Sequence, residues 1–235
     1  MKHTRPDIAN AVREASKVMD GSTKAHWKYL LRIIKYVIET KEKKLRYSLR
    51  PKKMKKVKIE GFCDSDYAGD RDTRKSVAGY AIYIFGCLIA WKSKSQRSVA
   101  LSSSEAEYVS ISEITKDLLF VKQILEFLQQ EVEYPIEIKV DNIGAIYMAE
   151  NNSSNNQTKH VNTRYHFVRE LIEDGIVKIE FVRSENNDSD IFTKNLGKEL
   201  FMKHSSKFMK SDENIENKNS TQSEYYKVQE FPNVK

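Results

Sequence analysis

A chain of 235 residues, 40% hydrophobic and 10% aromatic, holds enough apolar side chain for one globular core with appendages and is too short for two full domains. No apolar run reaches the length of a membrane span, and Met1 to Asn10 lacks the apolar core of a signal peptide, so the sequence gives no sign of a membrane or secretory class. The net charge of +7 is concentrated: Lys41 to Lys58 holds ten Lys/Arg against Glu42 alone, +9, which leaves −2 for everything else.

Residues 1–50 read as a helical appendage. Ile8, Val12, Ala15 and Met19 recur near helical spacing, and Asp20-Gly21-Ser22 breaks the pattern. Thr23 is placed to cap a second helix whose apolar stripe is Trp27, Leu30, Leu31, Ile34 and Val37-Ile38. Residues 51–56 form a basic linker, and Lys52, Lys53, Lys55 and Lys56 are its candidate contacts to a nucleic-acid backbone; a solvated linker is the alternative.

From Val57 the period changes to two. Val57, Ile59, Gly61 and Cys63 fall on one face of a strand that runs into Asp64 and Asp66 and a Tyr-Ala-Gly-Asp turn. Gly79 to Trp91, divided by Gly86, reads as a hairpin, with Gln96 to Leu101 supplying the rest of the third strand. Cys63 and Cys87 lie in apolar, strand-like surroundings without metal-ligand spacing. They read as reduced core residues in a cytosolic or nuclear setting.

Ser102 to Ser104 begin a long helix with a stripe of Tyr108, Ile111, Ile114, Leu118, Val121, Leu125 and Leu128, and both Ser102/Glu105 and Ser104/Glu107 have capping-box spacing. Ile136 to Val140 alternates as a strand ending at Asp141, and Asn142 to Glu150 is a short helix. Asn151 to Thr158 is a polar loop, Asn162 to Asp174 a helix stopped by Gly175, and Ile176 to Val182 a strand. Asp188 to about Met209 is read as helical, and residues 211–235 as a disordered tail. The domain proper is therefore 57–210. The order predicts a mixed five-stranded α/β sheet flanked by helices, its first, fourth and fifth strands parallel.

In that layout Asp64, Glu107, Asp141 and Asp190 fall at strand ends or helix starts, with Asp66 and Asp188 as near neighbours. Parallel neighbouring strands bring Asp64 and Asp141 together, and such crowding of like charge calls for a divalent cation. Oxygen ligands without His or Cys select Mg²⁺ or Mn²⁺, and two such ions roughly 4 Å apart activate water and stabilise the leaving oxygen of a phosphodiester.

The segments GFCDSDYAGDRDTRKSVAGYAIYIFG, CLIAWKSKSQRSVALSSSEAEYVSI, IKVDNIGAI, TKHVNTRYHFVRE and SDIFTK resemble the ribonuclease H domain of copia-type LTR-retrotransposon Pol polyproteins. TRPDIANAV and HWKYLLRIIKYV resemble the end of the reverse-transcriptase region before it. The resemblance covers roughly residues 3–205. It implies a ribonuclease H-like fold and a Mg²⁺-dependent endonuclease with two ions, acting on RNA in an RNA–DNA hybrid and leaving 5′-phosphate and 3′-hydroxyl ends. It also implies metal ligation and catalysis by Asp64, Glu107, Asp141 and Asp190. Glu107 is preferred to Glu105 because Tyr108, on the buried stripe, follows it.

The implied partners are the hybrid and the reverse-transcriptase domain of the same polyprotein, in cytoplasm, nucleus or a retroelement particle. Many ribonucleases H carry a His in the loop before the last Asp; Arg183 to Ser189 has none, and His160 and His166 read as structural or backbone-contacting. The polymerase motif is absent, so the chain reads as a Pol fragment, a truncated copy or a domesticated remnant. The alternative function is a catalytically inactive hybrid-binding or assembly remnant. A related DNA nuclease or integrase core is disfavoured by EAEY and DIFTK.

Overall fold

The computed structural model describes residues 4–47, 54–151 and 159–211, with backbone alone over 159–165. The segment 152–158, Lys52 and Lys53, the His160 side chain and the tail from 212 lie outside the described residues. A 3-10 turn (Pro6–Ile8) leads into helices α1 (Ala9–Ser16) and α2 (Lys24–Glu39) and a two-residue strand β1 (Lys44–Leu45). Strands β2 (Ile59–Asp66), β3 (Val77–Ile84) and β4 (Cys87–Ser95) precede the long helix α3 (Ser103–Phe127). Then come β5 (Ile136–Val140), α4 (Ile143–Glu150), α5 (Lys159–Glu173) and β6 (Val177–Phe181). The one-turn α6 (Asp190–Thr193), α7 (Lys198–Phe208) and β7 (Met209–Lys210) complete the described chain. Among the described residues no helix is long and apolar enough to cross a membrane. The backbone divides into two units, Ser48–Thr193 and the two flanking stretches, up to Tyr47 and from Lys194 on.

In the first unit the sheet order is β4-β3-β2-β5-β6. The pairs β2/β3 and β3/β4 are antiparallel, and β2/β5 and β5/β6 are parallel. This is the mixed five-stranded, ribonuclease H-like architecture that the element order and the resemblance imply. The parallel half arises because helical crossovers separate its strands, whereas β2, β3 and β4 follow one another through short turns. Its core joins one face of the sheet (Ile59, Cys63, Tyr80, Ile138) to α3 through Ile111, Ile114 and Leu118. The approach is close at Gly61, where a Cβ would stand 2.7 Å from Ile114 Cδ1. Across the other face, a Cβ at Gly79 would meet Thr193 Cγ2 at 2.5 Å and Phe192 Cβ at 2.9 Å, so the missing side chain lets α6 settle onto β3.

Several boundaries differ from the sequence expectation. Gln96 to Leu101 does not extend the third strand: the Gln96 N–H makes a last bond to the Ser76 carbonyl (2.8 Å), and its side chain then turns inward. Leu128 is the C-cap of α3 and is exposed. The stretch from Asp188 is not one helix but α6 and α7, separated at Asn195–Gly197 by residue types that favour non-helical backbone.

In the other unit, Thr23 caps α2 as expected, its Oγ1 accepting from the His26 N–H (3.3 Å). The buried face of α2 is not the expected one. Tyr29, Ile33 and Tyr36 are buried, while Trp27, Leu30, Leu31, Ile34 and Ile38 are exposed, as is Met19 beyond the end of α1. Tyr36 packs edge-to-face on Phe201 at 6.0 Å and donates to Asp7 (2.9 Å), which Arg5 also holds (2.8 Å). Strands β1 and β7 pair antiparallel, Leu45 opposite Met209.

Candidate metal centre

Residues Asp64, Glu107 and Asp141 reach one point from three elements. Asp64 is fully buried near the end of β2, where the antiparallel register sets it opposite Gly79. Asp141 follows β5, which runs parallel to β2 with Phe62 opposite Lys139; two residues further along, that register faces Asp64 with Asp141. Glu107 lies in the second turn of α3 and is buried. One carboxylate oxygen from each lies within 4.8 Å of the others.

Each carboxylate has its own neutral donor. The Ser65 N–H donates to Glu107 Oε1 (3.0 Å), Ser184 Oγ donates to Asp141 Oδ2 (2.6 Å), and Thr193 Oγ1 donates to Asp64 Oδ2. Neutral donors fix orientation without cancelling charge, so a mutual repulsion remains that a divalent cation relieves. The donor set is oxygen only. Cys63, next in the strand, is fully buried, and burial, reinforced by the charges of Glu107, Asp64 and Asp141, pushes its thiol up. It lies in the hydrophobic core, on the sheet face opposite Asp64. These residues fit a hard cation such as Mg²⁺ or Mn²⁺.

The neighbours are sorted by the same geometry. Glu105 turns away from the cluster, its Oε2 accepting from the Leu101 N–H (2.7 Å), while Ser102 Oγ caps α3 through the Glu105 N–H (3.1 Å). The Asp66 carboxylate folds back over its own turn, where a Cβ on Gly69 would stand 2.1 Å from Oδ2. Asp188 is buried beside Tyr83, whose hydroxyl is pushed up by burial and then by Asp188. Asp190 opens α6 and is buried; it is not among the three carboxylates that meet within 4.8 Å. It stands one turn before Thr193, whose Oγ1 also lies 3.3 Å from the Asp190 carbonyl oxygen.

Thr193, Ser184 and Asn187 were not singled out from sequence. Asn187 is buried, and its Nδ2 donates to the Cys63 carbonyl (3.0 Å), tying the segment before α6 to the strand that carries Asp64. The single available signal for Thr193 was its place three residues after Asp190, the same face of a helical turn. Of the remaining candidates, His166 is exposed on α5. Lys55 and Lys56 precede β2, and Lys56 pairs with Glu131 (3.0 Å). Eight residues of extended chain, about 26 Å, separate Lys56 from Asp64.

No family model matches the chain. Over 204 residues, 87% of its length, it is 32% identical to the retrovirus-related Pol polyprotein from transposon RE2 of Arabidopsis thaliana. Over 192 residues, 81% of its length, it is 35% identical to the retrovirus-related Pol polyprotein from transposon TNT 1-94 of Nicotiana tabacum. The chain spans 14% of each of these polyproteins. Among solved structures, the chain of LC11-RNase H1 in complex with an RNA/DNA hybrid superposes with a TM-score of 0.43 at 14% identity, covering 58% of this chain and 94% of that one. The chain is thus homologous to a segment of the retrovirus-related Pol polyproteins of plant transposons.

Proposed function

We propose that the chain is a metal-dependent endonuclease that cleaves the RNA strand of RNA–DNA hybrids, as part of, or derived from, a transposon Pol polyprotein. The observation that carries this reading is the convergence of Asp64, Glu107 and Asp141 within 4.8 Å, on an oxygen-only donor set. The kinship with Pol polyproteins supports the substrate class, because copying RNA into DNA leaves a hybrid whose RNA strand must be removed. The polymerase region of the same polyprotein is the partner this reading assigns.

Asp64, Glu107 and Asp141 would hold Mg²⁺, or Mn²⁺ in its place, and we assign Asp190 to the same site for a second ion. When bound, such ions supply positive charge at the scissile phosphate and make water a competent nucleophile at neutral pH. The protein's part is to hold its carboxylates still. Thr193 and Ser184 keep Asp64 and Asp141 from turning away, and the Ser65 N–H fixes Glu107 to the strand that carries Asp64. Cys63 packs in the hydrophobic core on the sheet face opposite Asp64, so it offers the site no competing soft ligand.

The test is cleavage of end-labelled RNA–DNA, RNA–RNA and DNA–DNA duplexes of one sequence with Mg²⁺. The expected result is cutting of the RNA strand of the hybrid alone, abolished by EDTA. Full activity in EDTA would overturn the metal assignment, and hybrid binding without cleavage would make the chain a binding module.

A further inference from the structure

Helix α2 carries two apolar faces. One, through Tyr29, Ile33 and Tyr36, is buried. On the other, Trp27, Leu31, Ile34 and Ile38 recur at intervals of four, three and four residues, which at 3.6 residues per turn aligns them within about 60° of arc. All four are exposed. At the Trp27 end this face deepens into a groove of about 450 Å³ between α1 and α2, lined by Val12, Ala15, Val18, Met19, Trp27 and Leu30. Trp27 is 59% exposed and Met19 77%. A contiguous apolar surface of this extent marks an interaction site.

The rim of the face is basic. Lys24, Lys28, Arg32 and Lys35 are exposed along one flank of the stripe, and Glu39 is the single acidic residue of α2. A second copy is a poor match, because two such faces packed antiparallel set this flank against itself, and like charges so placed oppose association. The polypeptide beyond Ser211 has the complementary composition. Residues 212–235 hold five acidic residues and three lysines, a net −2. Five of their six apolar residues, Tyr225, Tyr226, Val228, Phe231 and Val234, come after the polar run Asn217 to Ser223, with Glu224 and Glu230 beside them. This segment also leaves the fold close to α2: Lys210 pairs with Lys44, five residues past the end of that helix. From Glu39 back to Trp27 is twelve residues of helix, about 18 Å. The fourteen steps from Ser211 to Tyr225 have a root-mean-square span of roughly 20 Å as a flexible chain. A tether whose span matches the gap gives the highest effective concentration, on the order of 1 mM.

We infer that the groove and stripe on α2 are the docking site of the chain's own C-terminal segment, with Tyr225, Val228 and Phe231 as its apolar anchors. Glu224 and Glu230 meet the basic flank. Aromatic anchors bring a large apolar area to a groove of this size, and the unbranched Met19 adapts its shape to them. The charges on both sides set the orientation and select against other apolar segments.

The test follows tryptophan fluorescence of the full chain. Docking covers the Trp27 indole, so the wild type is expected to emit to the blue of the Tyr225→Ser/Val228→Ser/Phe231→Ser variant and to be quenched less by acrylamide. Trp91 is common to both proteins and cancels in the difference. Both differences should be independent of protein concentration. Docking that is about nine-tenths complete against a tether of about 1 mM has a dissociation constant of about 0.1 mM. A peptide of residues 222–235 added to the triple variant should therefore restore the wild-type emission, with a midpoint at or below about 0.1 mM. Glu224→Lys/Glu230→Lys should move the emission toward that of the triple variant, and added salt should do the same to the wild type. Equal emission and quenching in wild type and triple variant would overturn the site, as would a peptide without effect at about 1 mM. A wild-type shift that appears only as the mass doubles would give the face to a second copy and overturn its assignment to the C-terminal segment.

Discussion

At the scale of single residues, the centre crowds three carboxylates whose like charge a bound divalent cation would relieve. Asp64→Asn, Glu107→Gln and Asp141→Asn are each expected to bring cleavage to background. Because a ligand that binds only the folded state stabilises it, saturating Mg²⁺ should raise the unfolding free energy of the wild type, by about 2.7 kcal/mol at a hundred times its dissociation constant. That gain should be lost in Asp64→Asn, measured as unfolding temperature with and without EDTA. Thr193→Val removes the hydroxyl donor of Asp64 while keeping the volume, and should lower metal affinity roughly 10–100-fold, read by Mg²⁺ titration of that same stabilisation. Glu105→Gln touches only the loop at Leu101 and should cost under about 1 kcal/mol with cleavage retained. Asp64, Glu107 and Asp141 were legible because strand periodicity ends at two of them and a buried helical stripe begins beside the third. Thr193 and Ser184 were not, since a lone hydroxyl in a turn carries no pattern, and its partner lies far away in sequence.

Between elements, the tightest constraint is the seat of α6 on β3. Gly79→Ala would drive a Cβ into Thr193 Cγ2 and the Phe192 backbone, and overpacking of this kind costs about 1–3 kcal/mol. Cleavage should fall further than the stability loss explains, because the displaced helix carries the donor of Asp64; urea melts beside rates at matched folded fraction check this. Gly61→Ala crowds chiefly the end of the Ile114 side chain, with Leu118 Cδ1 at ordinary contact distance, and should be milder in both. Between β4 and α3, burial pushes the Glu113 carboxyl up, but its hydrogen bond and charge interaction with Lys92, helped by Lys116, outweigh this and hold it below the ordinary carboxylate value. A depressed folded-state pKa gives stability that is present above the unfolded value and is lost as pH falls through the folded one. The stability difference between wild type and Glu113→Gln should therefore be constant at neutral pH and shrink on acidification below the ordinary carboxylate range, followed by thermal melts across pH. Sequence located the elements well and the faces less well. In α2 the aliphatic stripe through Leu31 and Ile34 looked like the core side. Tyr29 and Tyr36 occupy it instead, because each buried ring also satisfies a polar end, Tyr29 on the Ala11 carbonyl (3.2 Å) and Tyr36 on Asp7.

Over the whole molecule, charge is distributed at two distances from the chemistry. Lys94 stands two strand spacings, about 10 Å, from Ser65, whereas Lys55 and Lys56 precede β2, Lys56 by about 26 Å of extended chain from Asp64. At about 3.4 Å per step, only a duplex running more than seven steps past the cut reaches the distant lysines. Replacing Lys52, Lys53, Lys55 and Lys56 with Gln should therefore weaken binding of a long hybrid and leave a six-base-pair one unaffected, compared by anisotropy at one salt concentration. The basic run was plain in the sequence, but its distance from the carboxylates depended on which end of the strand it met. No local pattern announced the ladder of Lys44–Leu45 with Met209–Lys210, two residues on each side. That ladder closes a unit whose two parts bracket the rest of the chain, which sets an order during synthesis. A growing polypeptide releases α2 well before Phe201 and must hold its apolar face without that ring until α7 emerges. The stretch Ser48–Thr193 is complete before then. A ribosome that stopped just after Thr193 would deliver every carboxylate and every hydroxyl donor of the metal centre, and would leave Leu45 with no strand to pair.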